Sequence, residues 1–309
     1  MLSFELFFSD KSREVLPHVL SVKLDCQLDV PADSLTLTLP FAKKYREAVL
    51  AAAWEGDILR FYGPVDEVIT VSQSGKHILR LYARSLAAFL LDNEAEPLTY
   101  ANPSNKLMAE RHLLPFGVTE YDNERHPLYD SLQIDKGMSH WQALERFCRK
   151  RYGSLPRIEG KRAYLKGFVR EGKAVFGENG VRYYSLRECR CPCRLISEIR
   201  VRLNAIGGYS SVMRNNNPDC AGRSRVRYLN ATADNVNLDT ARQMLEKGNR
   251  EAYLLKLQCA GTRVDLLGME AAVEDSGPGR IDGLRVTGVC CEMNEKGELT
   301  TVSLRKENV

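Results

Sequence analysis

The chain has 309 residues, of which 44% are hydrophobic and 27% charged, and its 44 basic and 40 acidic residues are interspersed and leave a net charge of +4. The length suits two or three domains. The composition is that of an ordinary soluble globular protein. No apolar run reaches the ~20 residues of a spanning helix, and the charge is too weak and dispersed for a typical nucleic-acid binder.

The opening Met1–Asp10 lacks a basic n-region and carries an acid within its apolar part, so it reads as an alternating strand and not as a signal peptide. Residues 1–40 read as strands throughout, most clearly at Ser34-Leu35-Thr36-Leu37-Thr38-Leu39-Pro40, where leucines alternate with small polar residues. Tyr45, Ala48, Val49 and Ala52 form a helical stripe over 43–53, ended by Gly56. A three-strand meander follows: 57–62, a Gly63-Pro64 turn, 65–71, a turn at 72–76, then 78–84.

The middle of the chain has a different texture. Asn102-Pro103 predicts a helix N-cap with proline at the first helical position, and that helix ends before Pro115. Ser139 with Gln142 forms a capping box that opens a helix through Trp141, Leu144, Phe147 and Cys148. Its last turn, Arg149-Lys150-Arg151, complements the helix dipole, and Gly153 stops it. Short glycine-punctuated strands run to about Tyr184, and strand patterning resumes over 195–203. The polar stretch 214–219 reads as an exposed loop. Asn237 is placed to cap a helix through Leu238, Ala241 and Leu245, closed by Gly248, and a strand covers 253–259.

Several groups invite a chemical reading. Arg84-Ser85-Leu86-Ala87-Ala88-Phe89-Leu90-Leu91 runs into three carboxylates, Asp92, Glu94 and Glu96, before Pro97. A glycosidase-like pair needs acids on both sides of a bond. On an extended segment Glu94 and Glu96 share a face, so a structural turn is favoured over chemistry. His112, His126 and His140 are far apart in sequence and match no metalloprotease spacing. A Cys–His nucleophile, for example Cys148 with His140 or His112, is a combination to weigh, but Cys148 falls on its helix's apolar side, which favours a buried thiol. Gly207-Gly208 is too weak for a phosphate loop.

Nine cysteines without an export signal suggest reduced thiols in the cytosol. Cys189-Arg190-Cys191-Pro192-Cys193 has a spacing of one where zinc sites have two or more, and Cys26, Cys148, Cys220, Cys259, Cys290 and Cys291 supply no second pair. On a strand, the three cysteines would share one small buried face. The five arginines between Arg187 and Arg202 are assigned to solvated strand faces, with a nucleic-acid module as the rival.

The C-terminal end echoes the first meander. Gly56-Asp57, Gly63-Pro64 and Gly75 are matched by Gly268-Met269, Gly277-Pro278-Gly279 and Gly297, each set separating strand-like runs. The pattern suggests duplication of a small antiparallel sheet. Sheet edges must be paired, covered or closed, so three chains of two related sheets each would present six similar units around an axis.

In the stretch 84–97, in Gly56-Asp57 and the meander ending at Arg84, in Gly137-Met138-Ser139 with Trp141, and in Gly279-Arg280-Ile281-Asp282-Gly283-Leu284-Arg285-Val286, the chain resembles baseplate hub proteins of contractile phage tails and phage-tail-like bacteriocins, of the late control protein D type. The resemblance implies an α+β, β-rich fold: a tube-like antiparallel β-barrel domain at 1–91, an inserted α/β domain at 92–190 and a second tube-like barrel at 191–309, with 191–235 as an alternative completion of the first. It implies a non-enzymatic homotrimer joining a hexameric tail tube to a trimeric central spike among other baseplate proteins, in a virion or tail-like particle after assembly from the bacterial cytoplasm. No catalytic, cofactor or metal residue and no membrane binding is expected; DNA would pass through the lumen only in a true phage. Asp92, Asn93, Glu94, Glu96 and Pro97 are the candidate subunit-interface turn. The alternative is a tail-associated peptidoglycan hydrolase using an acidic pair within Asp92–Glu96.

Overall fold

A computed structural model describes residues 2–73, 75–124, 126–202, 207–230, 238–277 and 279–307, with only the backbone at 73, 76, 238 and 239. The first strands are β1 (Leu2–Phe8), β2 (Arg13–Val15), β3 (Ser21–Gln27), β4 (Ser34–Pro40), β5 (Ala48–Glu55), β6 (Ile58–Gln73) and β7 (Lys76–Arg84). A mixed stretch follows: α1 (Ala87–Asp92), β8 (Leu98–Ala101), α2 (Asn105–His112), β9 (Glu120–Tyr121), β10 (Ser131–Ile134), α3 (His140–Tyr152), β11 (Arg157–Glu159) and β12 (Arg162–Tyr164). The remaining elements are β13 (Lys173–Phe176), β14 (Tyr183–Arg190), β15 (Glu198–Arg202), β16 (Ser211–Arg214), β17 (Val226–Asn230), α4 (Leu238–Glu251), β18 (Tyr253–Ala260), β19 (Glu270–Asp275), β20 (Gly279–Asn294) and β21 (Gly297–Lys306). The chain forms two compact units. One comprises Met1–Glu171, Cys259–Gly268 and Thr287–Thr301, the other Gly172–Gln258, Met269–Val286 and Val302–Val309.

In the first unit the strands lie in the order β2-β1-β5-β6-β7-β4-β3, followed by the C-terminal part of β20, with antiparallel neighbours. The alternation of β4 is realised: Leu35, Leu37 and Leu39 are buried, as are Val22, Leu24 and Cys26 on β3 beside it. The helix expected over 43–53 is absent. A 3-10 turn at Lys43–Glu47 leads into β5, which pairs with β1 on one side and β6 on the other. Ala51, Ala52 and Ala53 are fully buried there, so two-sided pairing overrides alanine's helix preference. Gly56 therefore sits in the two-residue turn between Glu55 and Ile58, not at a helix end.

Gly63-Pro64 is not a turn either. β6 runs straight through it; residues 58–64 pair with β5, residues 65–73 with β7, and a bulge at Val65/Glu67 marks the change of partner. A Cβ on Gly63 would lie 2.0 Å from the Arg84 carbonyl oxygen, so the glycine admits a crossing backbone. Ser74 of the following turn, and Pro278 of the Gly277-Pro278-Gly279 set matched to Gly63-Pro64, lie outside the described residues.

The helices of the first unit build a separate core with β8 to β12, centred on Met108, Trp141, Leu144, Phe147 and Cys148. The capping box and the Gly153 terminus of α3 form as expected. α2 starts later than expected: Ser104, not Asn102, is its N-cap and accepts from the Leu107 N–H at 3.1 Å.

In the second unit the main sheet has the order β14-β18-β21-β20-β19-β13, with β13 parallel to β19. A smaller sheet, β16-β15-β17, packs Ile199 and Val201 against Ala241 and Leu245 of α4. Asn237 and Leu203 lie outside the described residues. α4 continues through Gly248 to Glu251, since that glycine faces the Arg194 carbonyl where a Cβ would come to 2.9 Å.

The class is α+β and rich in strand, with extended antiparallel pairing. Two closed barrels are not formed: among the described residues the strand order ends openly, at the three-residue β2 in the first unit and at β14 and β13 in the second. The two meanders nevertheless correspond, in a register shifted from the one expected. The pairs Glu55↔Ile58 and Asp275↔Gly279 correspond, and each opens a strand of 16 residues, β6 or β20.

Candidate assembly site

The acidic turn is built from the end of β7 outward. Ser85 and Asp33 clasp each other: the Ser85 N–H donates to the Asp33 carbonyl at 2.9 Å, and the Asp33 N–H donates to Ser85 Oγ at 3.1 Å. The Leu86 N–H donates to the Tyr62 carbonyl, and α1 then buries Ala87, Ala88 and Leu90. Asn93 closes the helix with its side-chain amide on the Phe89 carbonyl, 2.8 Å away.

The three acids have three different occupations. Asp92 accepts from Arg84 at 2.7 Å, and Arg84 also reaches Asp66 on β6 at 2.7 Å, so one guanidinium ties β6, β7 and α1 together. Those hydrogen bonds, to Asp66 first, push Arg84 further toward its charged form. Glu94 accepts the Gly137 N–H at 2.7 Å, while Ala95 and His140 complete the seam through Met138 and Asn93 backbone oxygens. Glu96 and Pro97 are exposed. The turn is thus a bracket carrying the start of α3, and its acids do not converge on one point as a hydrolytic pair must.

The structure joins two histidines that sequence spacing left apart. His112 Nδ1 lies 2.9 Å from His140 Nδ1, and the Tyr100 hydroxyl is 3.2 Å from His112 Nε2. Burial pushes His112 down to about 4 and also lowers His140, so both are neutral at pH 7 and share one ring N–H between them. His126 is elsewhere, its carbonyl bonded by Arg151. Cys148 is fully buried and burial drives its thiol well above the ordinary range, which makes it an inert core residue and not a nucleophile.

The three clustered cysteines are a correction. Cys191 and Cys193 are exposed and Cys189 is half-buried. β14 ends at Arg190, Cys191 bends away and Pro192 opens a 3-10 turn, so alternation stops before it can bury a face. One buried ion pair was not foreseen: Arg157 on β11 gives Nη2 to both Asp33 oxygens at 2.7 and 2.9 Å and Nη1 to the Gln27 carbonyl at 2.9 Å. Its partners are 124 positions apart, beyond any spacing rule.

No protein-family profile matches the chain, and no curated protein matches it. Solved structures do. A tail protein from Neisseria meningitidis MC58 superposes with a TM-score of 0.79 at 18% identity, over 100% of this chain and 96% of that one. The 43 kDa tail protein of prophage MuSo2 from Shewanella oneidensis gives 0.78 at 13% identity, over 99% and 98%. The E. coli c3393 protein, a type VI secretion component described as structurally similar to the T4 tail proteins gp27 and gp5, gives 0.56 at 13% identity, over 94% and 74%. The fold is therefore that of phage and prophage tail proteins.

Proposed function

We propose that the chain is a structural, non-enzymatic hub subunit of a contractile-tail baseplate, a homotrimer adapting a hexameric tail tube to a trimeric central spike. Residues 1–91 and 191–309 would act as the two tube-like domains around an insert at 92–190, with 191–235 the alternative completion of the first. The observation that carries the reading is the doubled meander: each copy leads from a short strand through a tight hairpin into a strand of 16 residues. Three chains thereby offer six like units, and the open edges at β2 and β14 are closed by neighbouring subunits. The likeness to tail proteins over nearly the whole chain supports this. Asp92, Asn93, Glu94, Glu96 and Pro97 stand exposed at the proposed subunit contact.

Mass photometry of the purified chain, alone and with its tail-tube protein, tests the reading. A species at three chain masses is expected; a monomer or dimer in both conditions overturns it. Zymography on cell-wall material tests the hydrolase alternative, which a clearing zone abolished by Glu94→Gln would favour.

A further inference from the structure

The small sheet of the second unit presents a face that the hub reading leaves unused. Ile199 and Val201 of β15 point toward α4, so Glu198, Arg200 and Arg202 point the other way. Register places Arg214 opposite Glu198, and Val212 and Tyr228 on either side of Arg200. One row across three strands therefore reads valine, arginine, tyrosine. Val212 is 46% and Tyr228 57% exposed, which is unusual for such side chains on a sheet with a packed opposite face.

The charge on this face is unbalanced. Glu198 accepts from both Arg200 and Arg214, leaving three guanidinium groups against one carboxylate. Arg202 lies over the Tyr209 ring at 5.7 Å. Tyr209 packs edge-on against Tyr228 with ring centres 4.9 Å apart and donates its hydroxyl to Asn230 Oδ1 at 2.7 Å. The aromatic pair is thus fixed before any partner arrives, which lowers the ordering cost of binding.

We propose that this face docks a protein partner whose contact surface carries carboxylates around an apolar centre. Tyrosine and arginine are the side chains that dominate protein interfaces, and arginine matches a carboxylate with two parallel hydrogen bonds. Complementarity to three guanidinium groups calls for acids on the partner, and Val212 calls for an apolar contact between them. A single-stranded nucleic acid fits less well. The two tyrosines meet edge to face instead of offering parallel platforms for bases. The inference stands on this surface alone and does not require a trimer.

The test uses the full chain in fluorescence anisotropy with three labelled probes: a short peptide with Asp and Glu flanking Leu-Phe, the same peptide with Lys at the acidic positions, and oligothymidine. The acidic peptide should bind, and raised salt should weaken it. Arg202→Glu and Tyr228→Ser should each weaken it about tenfold. Arg202→Gln, whose melting should match the unaltered chain, should weaken it less. Absence of binding by the acidic peptide, equal binding of the Lys peptide, unchanged affinity in the variants, or tighter binding of oligothymidine overturns the proposal.

Discussion

β6 and β20 are both 16 residues long, and in each the first half pairs with the short strand before it while the second half pairs with other strands. Their glycines serve different needs. Gly63 of β6 lies against the backbone of Arg84 and Ser85, with no room for a Cβ. Gly283 of β20 has open space around it but a φ of +70°. One glycine answers to packing, the other to torsion, although both would pass in a sequence as turn markers. Gly63→Ala should cost about 4 kcal/mol or more, because the obstacle is backbone and cannot rotate away. Gly283→Ala should cost only about 1–2 kcal/mol. Equal losses in urea unfolding of the two variants would remove the distinction.

The meanders also differ in how charge braces them. At the end of the first, Ser85 bonds Asp33, which forms with Arg157 a pair whose side chains are 2% and 4% exposed. Around the second, Lys173–Asp282 and Arg280–Glu274 are open to water. Removing one partner of a buried pair strands the other, so Asp33→Ala should destabilise by about 3–5 kcal/mol. Asp282→Ala should leave the unfolding midpoint nearly unchanged. A double change of Asp33 and Arg157 to apolar residues that recovers much of the loss would show that the cost is the stranded charge and not the lost pairing.

The histidines sharpen the contrast further, because all five precede residue 172 and so belong to the first unit. His112 falls from its ordinary 6.5 to about 4 because it is buried. Between those values the unfolded chain binds a proton that the folded chain refuses. Stability is therefore complete above pH 6.5, declines as the pH falls toward 4, and loses nothing more from this group below that. The full decline is about 3 kcal/mol. Chemical unfolding of the intact chain from pH 7 to 4 should show it, and His112→Leu should flatten the slope whatever its effect at pH 7. An unchanged slope would exclude the His112–His140 pair as its source.

The sequence disclosed the parts of this fold that rest on local rules. The leucines of β4, the capping box at Ser139 and the left-handed Gly153 were legible because each depends on neighbours within a few positions. The β5 strand was hidden because alanine spacing is equally helical, and only pairing with β1 and β6 decides against it. The long β6 was hidden because Gly63-Pro64 carries a turn signature while the reason for the glycine lies at Arg84. Of the acidic turn, its place at the end of an element was readable. The occupation of Asp92 by Arg84 and of Glu94 by the Gly137 N–H was not, since those contacts depend on how the chain returns.

Asp92 yields the smallest stability effect and the most informative one. Its pair with Arg84 is half open to water, and Arg84 keeps Asp66 if Asp92 is lost. Asp92→Ala should therefore change the unfolding free energy of the chain by less than about 1 kcal/mol. If residues 92–97 touch a neighbouring subunit, the same change should reduce oligomer formation well beyond that small loss, because a charge at an interface is set against a partner the isolated chain does not contain. Glu94→Ala is the necessary companion. It frees the Gly137 N–H and loosens the start of α3, so it should lower stability and assembly together. Assembly that tracks stability in both variants would assign the turn to the fold alone, whereas assembly that falls in Asp92→Ala while melting holds would place it at the contact.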